Sequence, residues 1–537
     1  MTTSLRADRE ITADTARPAY DVIVCGAGTA GSVIARRLSD DPAVRVLLVE
    51  AGGSDRVPSV QDTTLWMSNI GSERDWCFRA EPSPHLNGRT PPLPMGKLLG
   101  GGSSINGSVW ARGHKNDFDG WAEAVGDPAW NYAAALDVYR RIEAFEGPHD
   151  PTRRGYDGIL PIVQPQDPVP LVPALIASAA RLGIPPVDDI NAEAMEGRGG
   201  CGVPNVLVGE GNRRVSMAAA YLHDAMTRPN LDIVLCTEVA GLLFEGGRAS
   251  GVRLVQRGRT FDVRAEREVV LSMGAINTPK LLMLSGIGDE AELARHGIPV
   301  RSKLRGVGRN FQDHILLAGC CFEYVTPEPP RNNAAEFVFF AASRSDIATP
   351  DLMPVLEEIP FGSEVTGPQY GLPSDPASAW TLAPGLAHPA SRGRVHLRSA
   401  NPADAPRIEA NFLAEPEDMR AMRYCVELCR EIALGGEVAP FVARELMPGP
   451  LKGDDLDDFI RNAAGTYFHE SCTAKMGRDE DAVVDASLRV YGVEGLRVAD
   501  ASVMPEITTG NTMAPTVYIA ERAAEIIASA HGFARAV

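Results

Sequence analysis

The sequence predicts an α/β protein in two parts, a Rossmann-like dinucleotide-binding domain and a second domain of sheet plus helices. Three observations lead there. A short apolar run, Tyr20–Cys25 (YDVIVC), enters a glycine turn, continues at helical spacing through Val33, Ile34 and Leu38, and is followed by a second apolar run, Val46–Val49. That order of strand, turn, helix and strand is a βαβ unit. At 537 residues the chain is too long for one ordinary core, so a second lobe is expected. Residues 229–275 alternate short β-like runs (LDIVLC, VAGLLF, GVRLVQ, EVVLS), which suggests a small sheet feeding back into the first domain.

The turn reads Gly26-Ala27-Gly28-Thr29-Ala30-Gly31, a GxGxxG pattern. Gly26 allows the tight turn, Gly28 lets backbone approach a pyrophosphate, and Gly31 lets helix and strand pack closely. The helix start offers free N–H groups and partial positive charge to phosphates. Glu50 closes the second strand, where a carboxylate accepts from ribose hydroxyls and repels a 2′-phosphate. An adenine dinucleotide other than NADP is expected. No second GxGxxG follows a strand, so a separate nicotinamide site is not visible.

The rest of the chain fills in the organisation. Residues 1–19 are polar and aperiodic and read as a flexible tail; proline-rich linkers are expected near 150–170 and 326–330. Pro350–Gly362 reads as a strand of the second domain, with Leu352, Pro354, Leu356 and Glu358 facing a pocket. Tyr467, Phe468, Trp66 and Met67 are candidate apolar wall residues of that pocket. Residues 416–434 read as a helix, Leu496–Ala499 as a short strand, and Pro515 as the opening of a last helix with Val517, Ala520, Ala524 and Ile527 on its apolar face. The domain division is 20–314 for the N-terminal cofactor part, with an open boundary at 150–204, then 315–464 for the substrate part, and 465–537 returning to the first domain.

Composition narrows the partners. Hydrophobic and charged shares of 44% and 23% are those of a globular protein. A net charge of −18 repels phosphate backbones and anionic lipid, so nucleic acid and membrane surfaces are poor partners. Nine cysteines without a CxxC pair argue for reduced thiols and a cytoplasmic setting, and no zinc-type spacing points to a metal. The N-terminus lacks an apolar signal segment, and no run of 18 apolar residues is present.

Several longer segments carry a resemblance: GKLLGGGSSIN (Gly96–Asn106), GAINTPKLLMLSGIG (Gly274–Gly288), HESCTAKMG (His469–Gly477) and LRVADASVMPEITTGNTMAPT (Leu496–Thr516), with the smaller GVGRNFQDH (Gly306–His314) and SRGRVHLRS (Ser391–Ser399). Together they closely resemble the glucose–methanol–choline (GMC) family of flavin oxidoreductases, from about Tyr20 to Ile527. The resemblance implies FAD stretched across the first domain, with the second domain roofing the flavin ring. It places Gly100, Gly101, Ser103, Asn106 and Gly107 beside the isoalloxazine, Val239 at the adenine, and Asp500 and Ala501 at the pyrophosphate and ribityl chain. Thr29, Ala30, Ala51, Phe468 and Thr512 complete the implied cofactor contacts. Some relatives attach FAD through a His that here is Ile105, so a non-covalent cofactor is expected.

The same resemblance implies oxidation of a primary alcohol, possibly aryl or furfuryl, by hydride transfer to flavin N5. His469 stands at the family's base and Asn511, 42 residues later, at its His-or-Asn position. An imidazole suits proton removal as hydride leaves, and an amide can orient the alcohol oxygen. Electrons would pass to oxygen or another non-nicotinamide acceptor. Choline-type or polyol oxidation and a non-redox lyase on the same scaffold are the alternatives. Relatives often carry Pro and Gly one and three residues after the base, where this chain has Glu470 and Cys472; Cys472 is expected to be buried packing. The last helix is expected to point its N-terminus at the pyrimidine edge of the flavin.

Overall fold

The computed structural model describes residue 12 and residues 15–534, so most of the tail assigned to residues 1–19 lies outside the described residues. Strand β1 (Ala19–Cys25) enters the glycine turn, helix α1 (Thr29–Leu38) follows, and β2 (Val46–Val49) returns parallel to β1. Val22, Ile23 and Val24 are fully buried, because both faces of a parallel sheet are covered and every side chain of such a strand must be apolar. Four further strands, β3 (Leu231–Val234), β4 (Thr237–Glu245), β5 (Arg248–Gln256) and β6 (Arg259–Leu271), join the same sheet. The order is β3-β2-β1-β6-β5-β4. The segment 229–275 is therefore part of the main sheet rather than a small separate one. Its two ends, β3 and the later residues of β6, pair parallel with β2 and β1, and the stretch between them adds an antiparallel ribbon.

The long strand β6 changes partners along its length. Its first residues pair antiparallel with β5, and Val269–Leu271 pair parallel with β7 (Leu496–Val498). The C-terminal part of the chain thus completes the first sheet, and helix α2 (Met513–His531) packs on α1. Arg37 on α1 grips Glu521 on α2 with three bonds of 2.9–3.0 Å, and Tyr221 Oη donates to the same carboxylate at 2.9 Å. Helix α2 begins at Met513, two residues before the expected Pro515, which takes a place within the first turn where a missing N–H costs nothing.

A second sheet is antiparallel throughout, in the order Val442–Met447, Cys321–Tyr324, Ala379–Ala383, Val355–Glu357, Val338–Phe340, Gly200–Gly202. Its last edge comes from Gly200–Gly202, inside the boundary segment 150–204. The expected linker near 150–170 also contains a strand, Leu160–Val163, paired with Glu143–Glu146. Helix Pro416–Ala433 covers one face of the second sheet, burying Met422, Cys425, Val426 and Cys429 with Phe322, Phe339 and Trp380. The other face, with Val338 and Val355 as a cross-strand pair, looks onto a cleft above the first sheet. A small three-stranded sheet pairs Ile315 with Thr466 and so sets the residues flanking them side by side. Among the described residues no helix is long and apolar enough to cross a membrane, and no cluster of His, Cys, Asp and Glu has metal-site character.

Candidate active site

The cleft lies at the C-terminal ends of β1 and β2, where nucleotides bind in open parallel sheets. It holds about 2240 Å³ of open space including its solvent-continuous mouth. Gly26 turns the chain at φ +94°, and a Cβ there would sit 2.4 Å from the Ser272 carbonyl oxygen. Gly28, Thr29 and Ala30 face the cleft, so the uncapped N–H groups of α1 open into it. Gly31 does not line it. A Cβ at Gly31 would lie 1.8 Å from the Gly26 carbonyl oxygen, so its role is packing helix against turn.

Glu50 accepts from Ala27 N–H (2.9 Å) and Gly52 N–H (2.8 Å), which leaves lone pairs on both oxygens for ribose hydroxyls. Burial pushes its carboxyl up to about 7 against the pull of those backbone donors. Ala51 lies beside it on the cleft and Val239 on the far wall.

The second glycine cluster is tied to the first. Gly100 N–H donates to the Ala27 carbonyl at 2.7 Å, which puts Gly100 behind the cleft, while Gly101, Ser103, Asn106 and Gly107 line it. Asn106 Oδ1 accepts from Ser108 N–H (3.0 Å) and from Arg214 Nη1 (2.8 Å). Arg214, absent from the sequence reading, is 4% exposed and has no carboxylate partner among the described residues, and burial holds it down to about 9. Only its place two residues after Asn212 in a polar stretch was visible in the sequence, with no signal that it braces Asn106. Asp500 and Ala501 line the cleft, but the Asp500 carboxylate already serves Gly274 N–H, Thr278 Oγ1 and Ser502, so it organises the backbone around it. Asn511, Thr512 and Met513 bring the start of α2 to the same cleft. Its donors and backbone glycines suit an extended dinucleotide, and Ile105 offers only hydrocarbon there, so FAD fits without a covalent link.

His469 and Asn511 are brought together. Asn511 Nδ2 donates to His469 Nε2 at 3.2 Å. On its other side His469 Nδ1 faces His314 Nδ1 at 2.9 Å, and His314 Nε2 donates to the Thr508 carbonyl at 2.9 Å. The carbonyl can only accept, so His314 carries its proton on Nε2. Burial, then the neighbouring His469, drives His314 well below the ordinary imidazole range, which keeps it neutral with Nδ1 as an acceptor. His469 must then donate from Nδ1, and its Nε2 lone pair faces the cleft. Burial brings His469 itself down to about 3.

The two histidines meet because Ile315 and Thr466 pair in the small sheet. Asp313 fixes the approach by accepting from His469 N–H (3.0 Å) and Thr466 Oγ1 (2.5 Å), and burial lifts it to about 7. Phe468 lines the cleft in a left-handed conformation at φ +66°. Cys472 is fully buried, as expected, and adopts φ +72°, where the resembled family's glycine is free of strain. The sequence marks His314 only as the last residue of the GVGRNFQDH segment, with no sign that it meets His469.

The cleft's roof differs from the expected one. Met353, Val355 and Glu357 line it, together with Leu316, Ala335 and Val338, whereas Leu352 and Leu356 are buried in the second core. Glu358 turns away and accepts from Arg331 N–H at 2.7 Å. The regular strand is only Val355–Glu357, and a slip of one residue exchanges the faces. Trp66, Tyr467 and Phe468 do line the cleft, but Met67 is 37% exposed and off it, because its short 3₁₀ helix turns it outward. Tyr467 stacks on His469 with ring centroids 5.1 Å apart and planes 20° from parallel.

Residues 20–316 match the N-terminal model of the GMC oxidoreductase family, and residues 389–520 match its C-terminal model. Human mitochondrial choline dehydrogenase is 38% identical over 95% of this chain and 90% of its own length. An alcohol dehydrogenase [acceptor] of Pseudomonas putida is 36% identical over 95% of each chain. The crystal structure of pyridoxine 4-oxidase from Mesorbium loti superposes with a TM-score of 0.89 at 34% identity, covering 94% of this chain and 98% of that one.

Proposed function

Because the chain belongs to the GMC oxidoreductase family, we propose that it oxidises a primary alcohol to the aldehyde, with His469 as the base and Asn511 as the orienting amide. It is an FAD-dependent oxidoreductase acting on CH–OH donors. FAD, when bound, supplies the hydride acceptor that the side chains lack. The observation that carries the residue roles is the directed chain from His469 through His314 to the Thr508 carbonyl. It leaves one basic nitrogen, His469 Nε2, on the cleft side, where the Asn511 amide occupies it until an alcohol enters.

An alcohol hydroxyl entering the site takes the place of the Asn511 amide on Nε2 and donates its proton there. The Asn511 N–H then donates to the alcohol oxygen, holding the carbinol C–H in line for transfer. Trp66, Tyr467 and Phe468 supply an apolar wall that excludes water around the reacting carbon. With no further dinucleotide motif in the chain, the reading passes electrons on to oxygen or a non-nicotinamide carrier. The N-terminus of α2, opening into the cleft, supports a role in balancing negative charge on the cofactor.

The test is H469Q purified with its flavin. The rate at which a panel of primary alcohols bleaches the flavin without oxygen should fall by about 10²–10⁴-fold, with the visible spectrum of the bound cofactor unchanged. Bleaching at the wild-type rate would remove His469 from the reaction.

A further inference from the structure

We propose that Arg214 is a fixed positive charge that raises the reduction potential of the bound flavin, a guanidinium without a counter-ion set behind Asn106 at the wall of the cofactor cleft. The inference rests on the FAD-dependent reading above, which lays the isoalloxazine against Gly100–Gly107, and goes on to say what sets the ring's affinity for electrons. Arg214 belongs to the short strand Arg213–Arg214, paired antiparallel with Val208–Gly209. Its Nε donates to the Val60 carbonyl at 2.8 Å. Its Nη1 faces the Ser103 carbonyl (3.3 Å), Asn106 Oδ1 (2.8 Å) and Ser108 Oγ (2.9 Å). Every one of these acceptors is neutral, and Nη2 has no partner among the described residues.

A buried charge solvated only by neutral groups is destabilising. An apolar side chain would serve packing better, so the retained charge points to a task. Burial brings Arg214 down to about 9, which still leaves it protonated at neutral pH. The bonds show where the charge is felt. Ser103 and Asn106 both line the cleft. Asn106 Nδ2 donates to Met513 Sδ at 3.3 Å, so one amide joins the guanidinium to the first residue of α2. The positive end of that helix and the guanidinium therefore approach the cleft from the two sides of Asn106. With its Oδ1 held by Arg214 and by Ser108 N–H, the amide keeps its donor side toward Met513, another residue of the cleft.

A flavin that accepts a hydride gains one negative charge, so a fixed cation nearby favours the reduced form. A buried guanidinium acts over a longer distance than an exposed one, because neither water nor a counter-ion screens it. The other charges of the cleft do not supply this effect. Among the described residues lining the cleft, Lys280 is the sole Lys or Arg, and its ammonium donates to the Pro402 carbonyl at 2.7 Å. It stands with Glu238, next to Val239, where the adenine end is read. Glu50, Glu238, Glu357 and Asp500 also line the cleft, and any negative charge on them opposes reduction. Arg214 is the cation that offsets them at the ring.

The experiment measures the midpoint potential of the bound flavin, and its affinity for sulfite, in the flavin-loaded wild type, R214M, S108D and S108N. Sulfite adds to N5 of the oxidised ring and leaves a negative charge on it, so it reads the same electrostatics. Ser108 adopts φ +60°, a conformation that Asp and Asn tolerate, and its Oγ faces Arg214. S108D gives the guanidinium a counter-ion without removing it, and S108N fills the same space without charge. R214M and S108D should each lower the equilibrium constant for two-electron reduction by about ten- to hundredfold, roughly 30–60 mV in midpoint potential. Sulfite binding should weaken by a similar factor, and S108N should keep the wild-type values. If R214M does not fold, the difference between S108D and S108N decides the matter. A wild-type potential in R214M, or equal potentials in S108D and S108N, overturns the charge role and leaves Arg214 as a brace for Asn106. Neither readout uses an alcohol, so the two readings fail separately. If no primary alcohol bleaches the flavin, the alcohol-oxidising reading falls while the potentials still test Arg214.

Discussion

In the proposed mechanism His314 acts on the reaction without touching the substrate. Its acceptor nitrogen holds the His469 proton on Nδ1, so its removal lets His469 present an N–H to the alcohol. H314L, which cannot accept, should lose about 10²–10³-fold in kcat with little change in KM. H314N keeps an acceptor oxygen and should recover part of that loss; equal kcat for the two variants would reduce His314 to packing. The burial of His469 carries a second consequence. Its nitrogen takes up a proton near pH 3 in the folded protein but near the ordinary 6.5 in the unfolded chain. Between those values the unfolded state binds more protons, so stability falls as pH drops from about 6.5 towards 3. H469Q should therefore lose less of its urea midpoint than the wild type between pH 7 and pH 4, and a larger loss would contradict the assignment. At this scale the sequence was legible where a motif names a chemical part. His469, Asn511 and Glu50 all reach the cleft. Arg214 and His314 were not, because each acts through a partner more than a hundred residues away, Asn106 and His469 respectively, and spacing along the chain carries no trace of that.

The βαβ unit was legible because its cues are local: continuous apolar strands, a glycine turn, and a helix of period 3.6. The pocket strand was misread because proline interruption shortens it to three residues, too few for alternation to reveal which face is which. The single-residue slip is the whole difference between Glu358, which turns inward and accepts one bond from Arg331 N–H, and Glu357, which faces the cleft. Helices α1 and α2 show how distant elements secure the site. The Arg37–Glu521–Tyr221 cluster clamps the helix that starts two residues after Asn511 to the helix that starts at the dinucleotide turn. E521A leaves Arg37 without its partner and should cost on the order of 3 kcal/mol, less the share that solvent screens at the partly exposed Arg37. Thermal melting with flavin fluorescence checks this, since loosened helices release cofactor at a lower temperature. A melting point and release temperature equal to the wild type would mean the clamp is idle.

At the scale of the molecule, two cores meet at the cleft, one built around the parallel sheet and one around the antiparallel sheet. A cofactor lying between them stabilises both by mass action, by about 2.7 kcal/mol at a free concentration 100 times its Kd. Stripping FAD should lower the melting temperature and adding it back should restore it; an unchanged melt would place the cofactor outside the load shared by the cores. The two-part architecture followed from chain length and from the return of the C-terminal segments. The interleaving did not, because Gly200–Gly202 contributes an edge strand to the second sheet through pairing that only the folded chain reveals. The parallel pairing of β6 with β7 also sets a schedule for biosynthesis. Arg497 meets Glu268 across 229 residues of chain. At roughly 5–20 residues per second, a ribosome takes roughly 11–46 s to supply that neighbour. Throughout the interval the nascent chain carries an open apolar edge at Val269–Leu271, the kind of surface on which growing polypeptides stick to one another, so folding yield should depend on how quickly, and how well chaperoned, the second half of the message is read.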